Sequence, residues 1–377
     1  MGPPRFYKAT VDGHTTIGEP IGVPLYLIFD LISNTSAAYT LLTRKDFNLA
    51  LQALLQAWGK YLSDDPTSNS TLNKDQWFSP PGLALLESGL GKLSFDQTYI
   101  SDYDQDPKYK SWDSFFTRQF HDTYTDTDGK VKKVRPIPDQ PSAPGAPFYI
   151  YSPCESTVFR TAANVQIHDT FWLKSQKYSL YDMLGGFQHK NLSSYADKLQ
   201  NGSVLQAFLS PQDYHRWHSP IVGKVVASGV IDGTYYAVLP DEGAGESDPD
   251  LLPGDPHGAM IRSQPWLSVA ATRAVFIIQP DEKSPIEWIA FIGIGMVEVS
   301  SCIITYDKRK VPDPTHVEVG DELGSFHFGG SSYTMVVKPK DGYSVVFQDI
   351  YDSPVRPGQH RWIHSVVGQV WKDKVLQ

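Results

Sequence analysis

Three short segments of this 377-residue chain carry side chains able to do chemistry. The first is Ser210-Pro211-Gln212-Asp213-Tyr214-His215-Arg216-Trp217-His218-Ser219-Pro220, which places two imidazoles around a guanidinium directly after an apolar run. Histidine titrates near neutral pH, so such a pair at a strand end suits proton transfer or anion binding. A three-residue step can also bring two imidazoles to a metal, but neither an H-E-x-x-H pattern nor a cysteine pair completes that site. A structural role stays open as well. The second segment is Gly324-Ser325-Phe326-His327-Phe328-Gly329-Gly330-Ser331-Ser332-Tyr333. Its paired glycines permit backbone conformations closed to other residues and let a neighbouring group approach a peptide carbonyl. The alternative is a plain turn between two strands, and no lysine follows as a phosphate loop requires. The third is Ser152-Pro153-Cys154-Glu155-Ser156. Cys154 is either a nucleophile or a small buried hydrophobe, and Glu155 is a candidate to orient a histidine.

These segments need a scaffold, and its elements can be read from periodicity. From Thr43, the residues Phe47, Leu51, Leu54, Leu55, Trp58, Tyr61 and Leu62 recur at three- and four-residue steps, which predicts a helix packed against the rest of the chain. Thr43 is its expected N-cap, with Asp46 completing a capping box. Ser79-Pro80 opens a shorter helix through Leu83, Leu86 and Leu90, and Pro24 fits the first turn of another over Val23 to Ile32. Residues 100–147 are rich in Asp, Tyr, Gln and Pro, and only Trp112 to Phe120 reads as well packed. After Phe148 the period shortens. Val204–Leu209, Val222–Val226, Ala274–Ile278, Trp288–Val299 and Tyr333–Val337 read as strands separated by Gly, Pro and Asp, with one helix near Tyr178 to Leu184. No internal repeat interrupts this plan.

Composition excludes several functions. A net charge of −9 argues against a broad nucleic-acid surface, which needs concentrated Lys and Arg. Two cysteines, Cys154 and Cys302, are too few for a disulfide framework and suit a reducing compartment. The amino terminus lacks the blocks of a secretory signal, and Phe6 occupies the position where myristoylation after Gly2 wants Ser or Thr. The apolar stretches Val23–Ile32 and Trp288–Val297 are about half the ~20 residues that span a bilayer, so no integral membrane segment is expected. Sequons at Asn34, Asn69, Asn191 and Asn201 read as chance. Six carboxylates between Pro240 and Pro256 lack calcium-loop spacing and read as a solvated insertion.

Taken together, the segments resemble the phosphatidylserine decarboxylase family of pyruvoyl enzymes. Phe115-Phe116-Thr117-Arg118 is similar to the family's F-F-x-R, and Arg135-Pro136-Ile137 to its R-P-I. Asp213 to Pro220 matches D-Y-H-R-x-H-x-P, and Phe291 to Val299 its glycine-rich strand. Gly320-Asp321-Glu322-Leu323-Gly324-Ser325-Phe326 leads into Phe328-Gly329-Gly330-Ser331, where the family has G-S-T or G-G-S-T. These matches come in order and cover most of the chain after residue 112. Two departures stand out: Cys154-Glu155-Ser156 replaces an Ala-Asp-Gly context, and Ser332 replaces a threonine. The helical amino-terminal region and the FHFGGSS sequence look most like the soluble fungal branch, which takes free aromatic amino acids.

The resemblance implies an α+β protein: a helical N-terminal region, 1–111, and a mainly β catalytic domain, 112–377, cleaved between Gly330 and Ser331. Ser331 would attack the Gly330 carbonyl, with His218 as base oriented by Glu155. The cofactor would be a pyruvoyl group generated from Ser331, serving as the electron sink that pyridoxal phosphate provides elsewhere. His215 would return a proton to the substrate's α-carbon, and His327 and Phe328 would line the pocket beside the new chain terminus. No metal is implied. The expected protein is cytoplasmic, formed of two chains from one precursor with room for a homo-oligomer. It binds no nucleic acid and decarboxylates an aromatic L-amino acid, tryptophan first. The competing readings are phosphatidylserine decarboxylase, a serine hydrolase built on Glu155, His218 and Ser331, and an uncleaved family member.

Overall fold

The computed structural model describes residues 7–11, 14–18, 24–35, 37–104, 107–168, 179–238, 263–297, 301–305 and 315–373. Gly2 and the acidic stretch from Pro240 to Pro256 lie outside the described residues. The protein is α+β, as expected. Its amino-terminal part contains α1 (Pro24–Ser33), α2 (Lys45–Asp64) and α3 (Pro80–Glu87), and the short α4 (Trp112–Phe116) leads into the strands. Ser79 caps α3 by accepting from the Gly82 amide at 3.2 Å, and Pro80 stands in the first turn. The cap expected at Thr43 is instead at Arg44, which makes no side-chain cap bond and holds Asp46 at 2.7 Å. Only part of the α2 stripe is covered: Leu51, Leu55 and Leu62 are buried, whereas Leu54, Trp58 and Tyr61 face solvent. The contact surface follows Asn48, Leu51, Leu55, Gly59 and Leu62, because Asn48 docks the helix by accepting from the Tyr235 amide at 3.0 Å.

The described strands from residue 148 onward are β1 (Phe148–Tyr151), β2 (Ser156–Ala162), β3 (Ser203–Leu209), β4 (Arg216–His218), β5 (Gly223–Ile231), β6 (Arg273–Pro280), β7 (Ile286–Val297), β8 (Ser301–Ile304), β9 (Thr315–Val317), β10 (Glu322–His327), β11 (Gly330–Pro339), β12 (Tyr343–Val346), β13 (His360–Arg361) and β14 (Val366–Lys372). Eight of them form one antiparallel sheet in the order β9-β5-β6-β7-β11-β3-β2-β13. Two three-stranded sheets, β8-β10-β4 and β12-β14-β1, accompany it. Residues alternate between the faces of the large sheet. Leu205, Ala207, Phe291, Tyr333 and Met335 join one core with Trp77, Phe95, Phe115 and Trp217. Val204, Ile277, Ile292 and Val336 join the other with Leu51, Leu55 and Tyr236.

The β10 strand can lie on Trp217 because residue 324 is a glycine. A Cβ there would sit 2.2 Å from the Ile303 carbonyl oxygen and 2.7 Å from the Trp217 ring. Gly324→Ala should therefore destabilise the protein by about 1–3 kcal/mol, the usual cost of overpacking, and lower the melting temperature in a thermal scan. An unchanged melting temperature would mean that β8 and β10 can separate freely.

Candidate active site

The bond before Ser331 stands at an unusual place in the backbone. Between β10 and β11 the chain turns through Phe328 at φ 57° and Gly329 at φ 102°, both left-handed. That region suits glycine but strains phenylalanine by about 1–2 kcal/mol. Phe328 is held there by burial, its ring 5.7 Å from that of Phe116. Ser331 then pairs with Leu209 of β3 on one side and Gly295 of β7 on the other, and the β7 register shifts between Gly295 and Val297, opposite Gly330. The Ser331 hydroxyl is fully buried and has no hydrogen-bond partner among the described residues. An unsatisfied buried hydroxyl costs about 1–3 kcal/mol, so its retention calls for a role beyond packing.

The Asp213–Pro220 segment begins just past Leu209, the residue paired with Ser331. Arg118 fastens it by donating to the carbonyls of Gln212 and Asp213, while its guanidinium lies 4.3 Å from the Tyr99 ring centre. Arg216 donates to the Thr117 carbonyl at 2.8 Å and to Glu322 at 2.8 Å. The F-F-x-R and D-Y-H-R-x-H segments, far apart in sequence, are thus joined by two arginines. His215 is fully buried and stacked 3.8 Å from Phe116, and among the described residues neither ring nitrogen makes a well-formed hydrogen bond, the Asp213 backbone being its polar neighbour. Burial first, and the charge of Arg118 second, hold its pKa well below the usual value, so it is a neutral imidazole.

His218 is half-buried, with Nδ1 2.6 Å from the Gly320 carbonyl and Nε2 2.9 Å from the Tyr214 hydroxyl. A carbonyl only accepts, so Nδ1 carries the proton and Nε2 accepts from Tyr214. Burial pushes the Tyr214 pKa well up, which keeps that hydroxyl protonated. Burial also lowers His218 to about 4, and the Gly320 carbonyl only partly offsets it. His364 faces His218 with ring centres 5.3 Å apart and is likewise lowered to about 4, by burial and then by His218.

These two imidazoles make stability sensitive to acid. Their folded pKa values lie below the ordinary 6.5, so the unfolded chain binds the extra protons. Their contribution is full above pH 6.5 and is lost as pH falls toward 4. Melting temperature should fall between about pH 7 and about pH 5, and less so in His364→Gln.

The expected contact between Glu155 and His218 is not formed. Glu155 is buried, accepts from Arg135 Nε, and lies 3.9 Å from His360 Nε2. A guanidinium and a charged imidazole compete for a buried carboxylate better than a neutral imidazole does. His360 also reaches Asp213 Oδ1 at 3.4 Å. His218 is oriented instead by Gly320 and Tyr214, and the hydrogen bonds of a Glu155–His218–Ser331 hydrolase triad are absent. Cys154 is fully buried and its thiol pKa is pushed well up by burial, as befits a packing residue. His327 Nδ1 meets Asp113 of α4 at 2.7 Å, and Phe328 packs on Phe116, so both stand beside the bond at 330. A cavity of about 750 Å³, lined by Leu90, Lys92, Leu93, Lys133 and Trp362, borders this cluster at Arg135.

His360, Tyr214 and Asp113 were not singled out in the sequence. The His360-Arg361-Trp362-Ile363-His364 run was the one visible signal, two imidazoles around an arginine and a tryptophan as in the 213–220 segment.

The chain belongs to the phosphatidylserine decarboxylase family, and it is a carboxy-lyase. The family model for phosphatidylserine decarboxylase matches residues 112–361, and a second model of that description matches residues 2–86. Decarboxylase iboD of Amanita muscaria (strain Koide BX008) is 37% identical over 378 residues, spanning 99% of this chain and 98% of the relative. L-tryptophan decarboxylase of Psilocybe cyanescens is 32% identical, spanning 93% of this chain and 75% of that protein. Phosphatidylserine decarboxylase proenzyme 3 of Schizosaccharomyces pombe is 27% identical over 55% of this chain and 18% of its own length.

Proposed function

We propose that this protein is a self-processing, pyruvoyl-dependent decarboxylase of a free aromatic L-amino acid, with tryptophan the first candidate, working in the cytoplasm. The observation that carries the self-processing is the buried Ser331 hydroxyl, without a hydrogen-bond partner among the described residues, two residues past a left-handed turn and opposite a strand bulge. Ser331 Oγ adds to the Gly330 carbonyl carbon, the C–N bond breaks, and the peptide becomes an ester with a free Ser331 amine. Loss of the Ser331 α-proton and rupture of the Cβ–Oγ bond release residues 1–330 with a new carboxylate. Hydrolysis of the dehydroalanine left at position 331 expels ammonia and yields the pyruvoyl group at the head of residues 331–377. His218 Nε2, uncharged above about pH 4, is the base for the Ser331 proton once the Tyr214 hydroxyl that donates to it is displaced.

The residues present fit the group: a Cβ on Gly330 would make no contact tighter than 3.7 Å, to Met296 Cε, and the face that Ser331 shares with Tyr333 is buried. Once formed, the ketone supplies the electron sink for loss of carbon dioxide. His215, a neutral imidazole under Phe116, holds the proton returned to the α-carbon and places no charge against the departing carboxylate. Phe116 and Phe328 exclude water from that side.

The tryptophan decarboxylase at 32% identity supports the choice of substrate. Phosphatidylserine is the second reading, favoured by the exposed apolar side chains Ile28, Leu31 and Leu54 on α1 and α2. No described helix is long and apolar enough to cross a membrane. The test is to measure amine and carbon dioxide release from tryptophan, phenylalanine, tyrosine and phosphatidylserine. Turnover of tryptophan without the lipid is expected, and product from the lipid alone would overturn the choice.

A further inference from the structure

His360 lies C-terminal to the Gly330–Ser331 bond, yet its ring contacts two carboxylates that precede the bond. Nε2 is 3.4 Å from Asp213 Oδ1 and 3.9 Å from Glu155 Oε2, and these carboxylates are 7% and 2% exposed. Arg135 closes the group from a third element, with Nε on Glu155. The connection after α3 forms a fourth wall: a Cβ on Gly89 would stand 3.0 Å from His360 Cε1, so any larger residue there presses on the ring. Trp362 pins the same segment by donating to the Gly89 carbonyl at 2.6 Å and lies 4.9 Å from the Arg135 guanidinium. On its own strand, Arg361 turns to Asp349 at 3.5 Å. Two carboxylates thus meet two cations, and His360 is the only one of the four that is appreciably exposed, at 27%.

The geometry points to His360 as a positioning residue for cleavage: by bridging Asp213 and Glu155 it holds the Asp213–Pro220 segment, and with it His215 and His218, in register with Ser331. This rests on the reading of Gly330–Ser331 as the cleaved bond. The mechanical link is short. Asp213 Oδ2 accepts from the Ser210 amide at 2.8 Å, and the residue before Ser210 is Leu209, paired to Ser331. Glu155 is held by Arg135 and the Asp213 carbonyl by Arg118, so without a charge on His360 the two carboxylates repel and the load falls on the Asp213 side chain and its bond to the Ser210 amide. Burial works against the charged imidazole, but Asp213 and then Glu155 outweigh it and raise His360 to about 9. A raised pKa fixes the sign: the bridge is fully present below pH 6.5 and is lost as pH rises through about 9.

The test uses the full-length precursor made in a short pulse of cell-free synthesis, then chased at a series of pH values while the two fragments are resolved by mass. Wild-type cleavage should slow as pH rises through about 9. His360→Gln should cleave at least about tenfold more slowly near neutral pH, with no fall at high pH, because a buried carboxylate has lost its partner. Asp213→Asn in that background should restore most of the rate, and His360→Lys should move the fall to higher pH. If His360→Gln fails to fold by circular dichroism, the lysine variant decides: an unshifted profile overturns the positioning role. Equal rates and profiles for wild type and a folded His360→Gln overturn it as well, while leaving self-cleavage intact. A wild-type chain that stays whole removes the cleavage reading and this role with it.

Discussion

Ser331→Ala should leave one uncleaved chain of 42.1 kDa, without decarboxylase activity and with undiminished stability. The separation of the two effects is the informative part. Ser331 sits in the middle of the large sheet, paired on both sides through its backbone, and alanine keeps those bonds. Its hydroxyl is buried without a partner among the described residues, so removing it relieves a desolvation cost and stabilises the fold by up to about 1 kcal/mol. Chemistry, by contrast, loses the hydroxyl proposed to attack Gly330. Intact mass, carbon dioxide release and a thermal melt on the same preparation check all three statements. Two fragments from Ser331→Ala would show that another group cuts the chain, and a large fall in melting temperature would show that the hydroxyl is structural.

Arg135→Ala should be among the most damaging substitutions for stability, costing about 3–5 kcal/mol, because it leaves a buried carboxylate facing only the more distant His360 among the described residues. Arg135 and Glu155 side chains are 3% and 2% exposed, so water cannot replace the lost partner. The guanidinium also lies 4.9 Å from the rings of both Phe120 and Trp362, and that packing goes with it. Glu155→Gln in the same chain should recover part of the loss by removing the stranded charge, so the two changes are not additive. Urea denaturation of the four chains measures the coupling. A loss below about 1 kcal/mol for Arg135→Ala would place this pair with ordinary surface ion pairs.

Much of the protein is legible without coordinates. The strands after Phe148 show because a strand buried on both faces must be a short apolar run, and Val204–Leu209 and Ala274–Ile278 lie within β3 and β6. The cap at Ser79 shows because a hydroxyl before proline has one strong local use. The α2 stripe was only half informative: amphipathicity says that some face is covered, whereas the docking of Asn48 on Tyr235 decides which. Short helices such as α4 carry too few residues for a period to emerge.

The same division runs through the site. Residue types and local spacing determined the candidates: Ser331 after two glycines, His215 and His218 around Arg216, and a lone acid at Glu155. Their chemistry is intrinsic to each side chain and survives in any fold. Pairing is not intrinsic, because a buried carboxylate takes the strongest donor that the fold brings within reach. Only tertiary structure could assign Glu155 to Arg135 and His360, and His218 to Tyr214 and Gly320. Those partners come from segments far apart in the chain, and no local spacing records the competition among them.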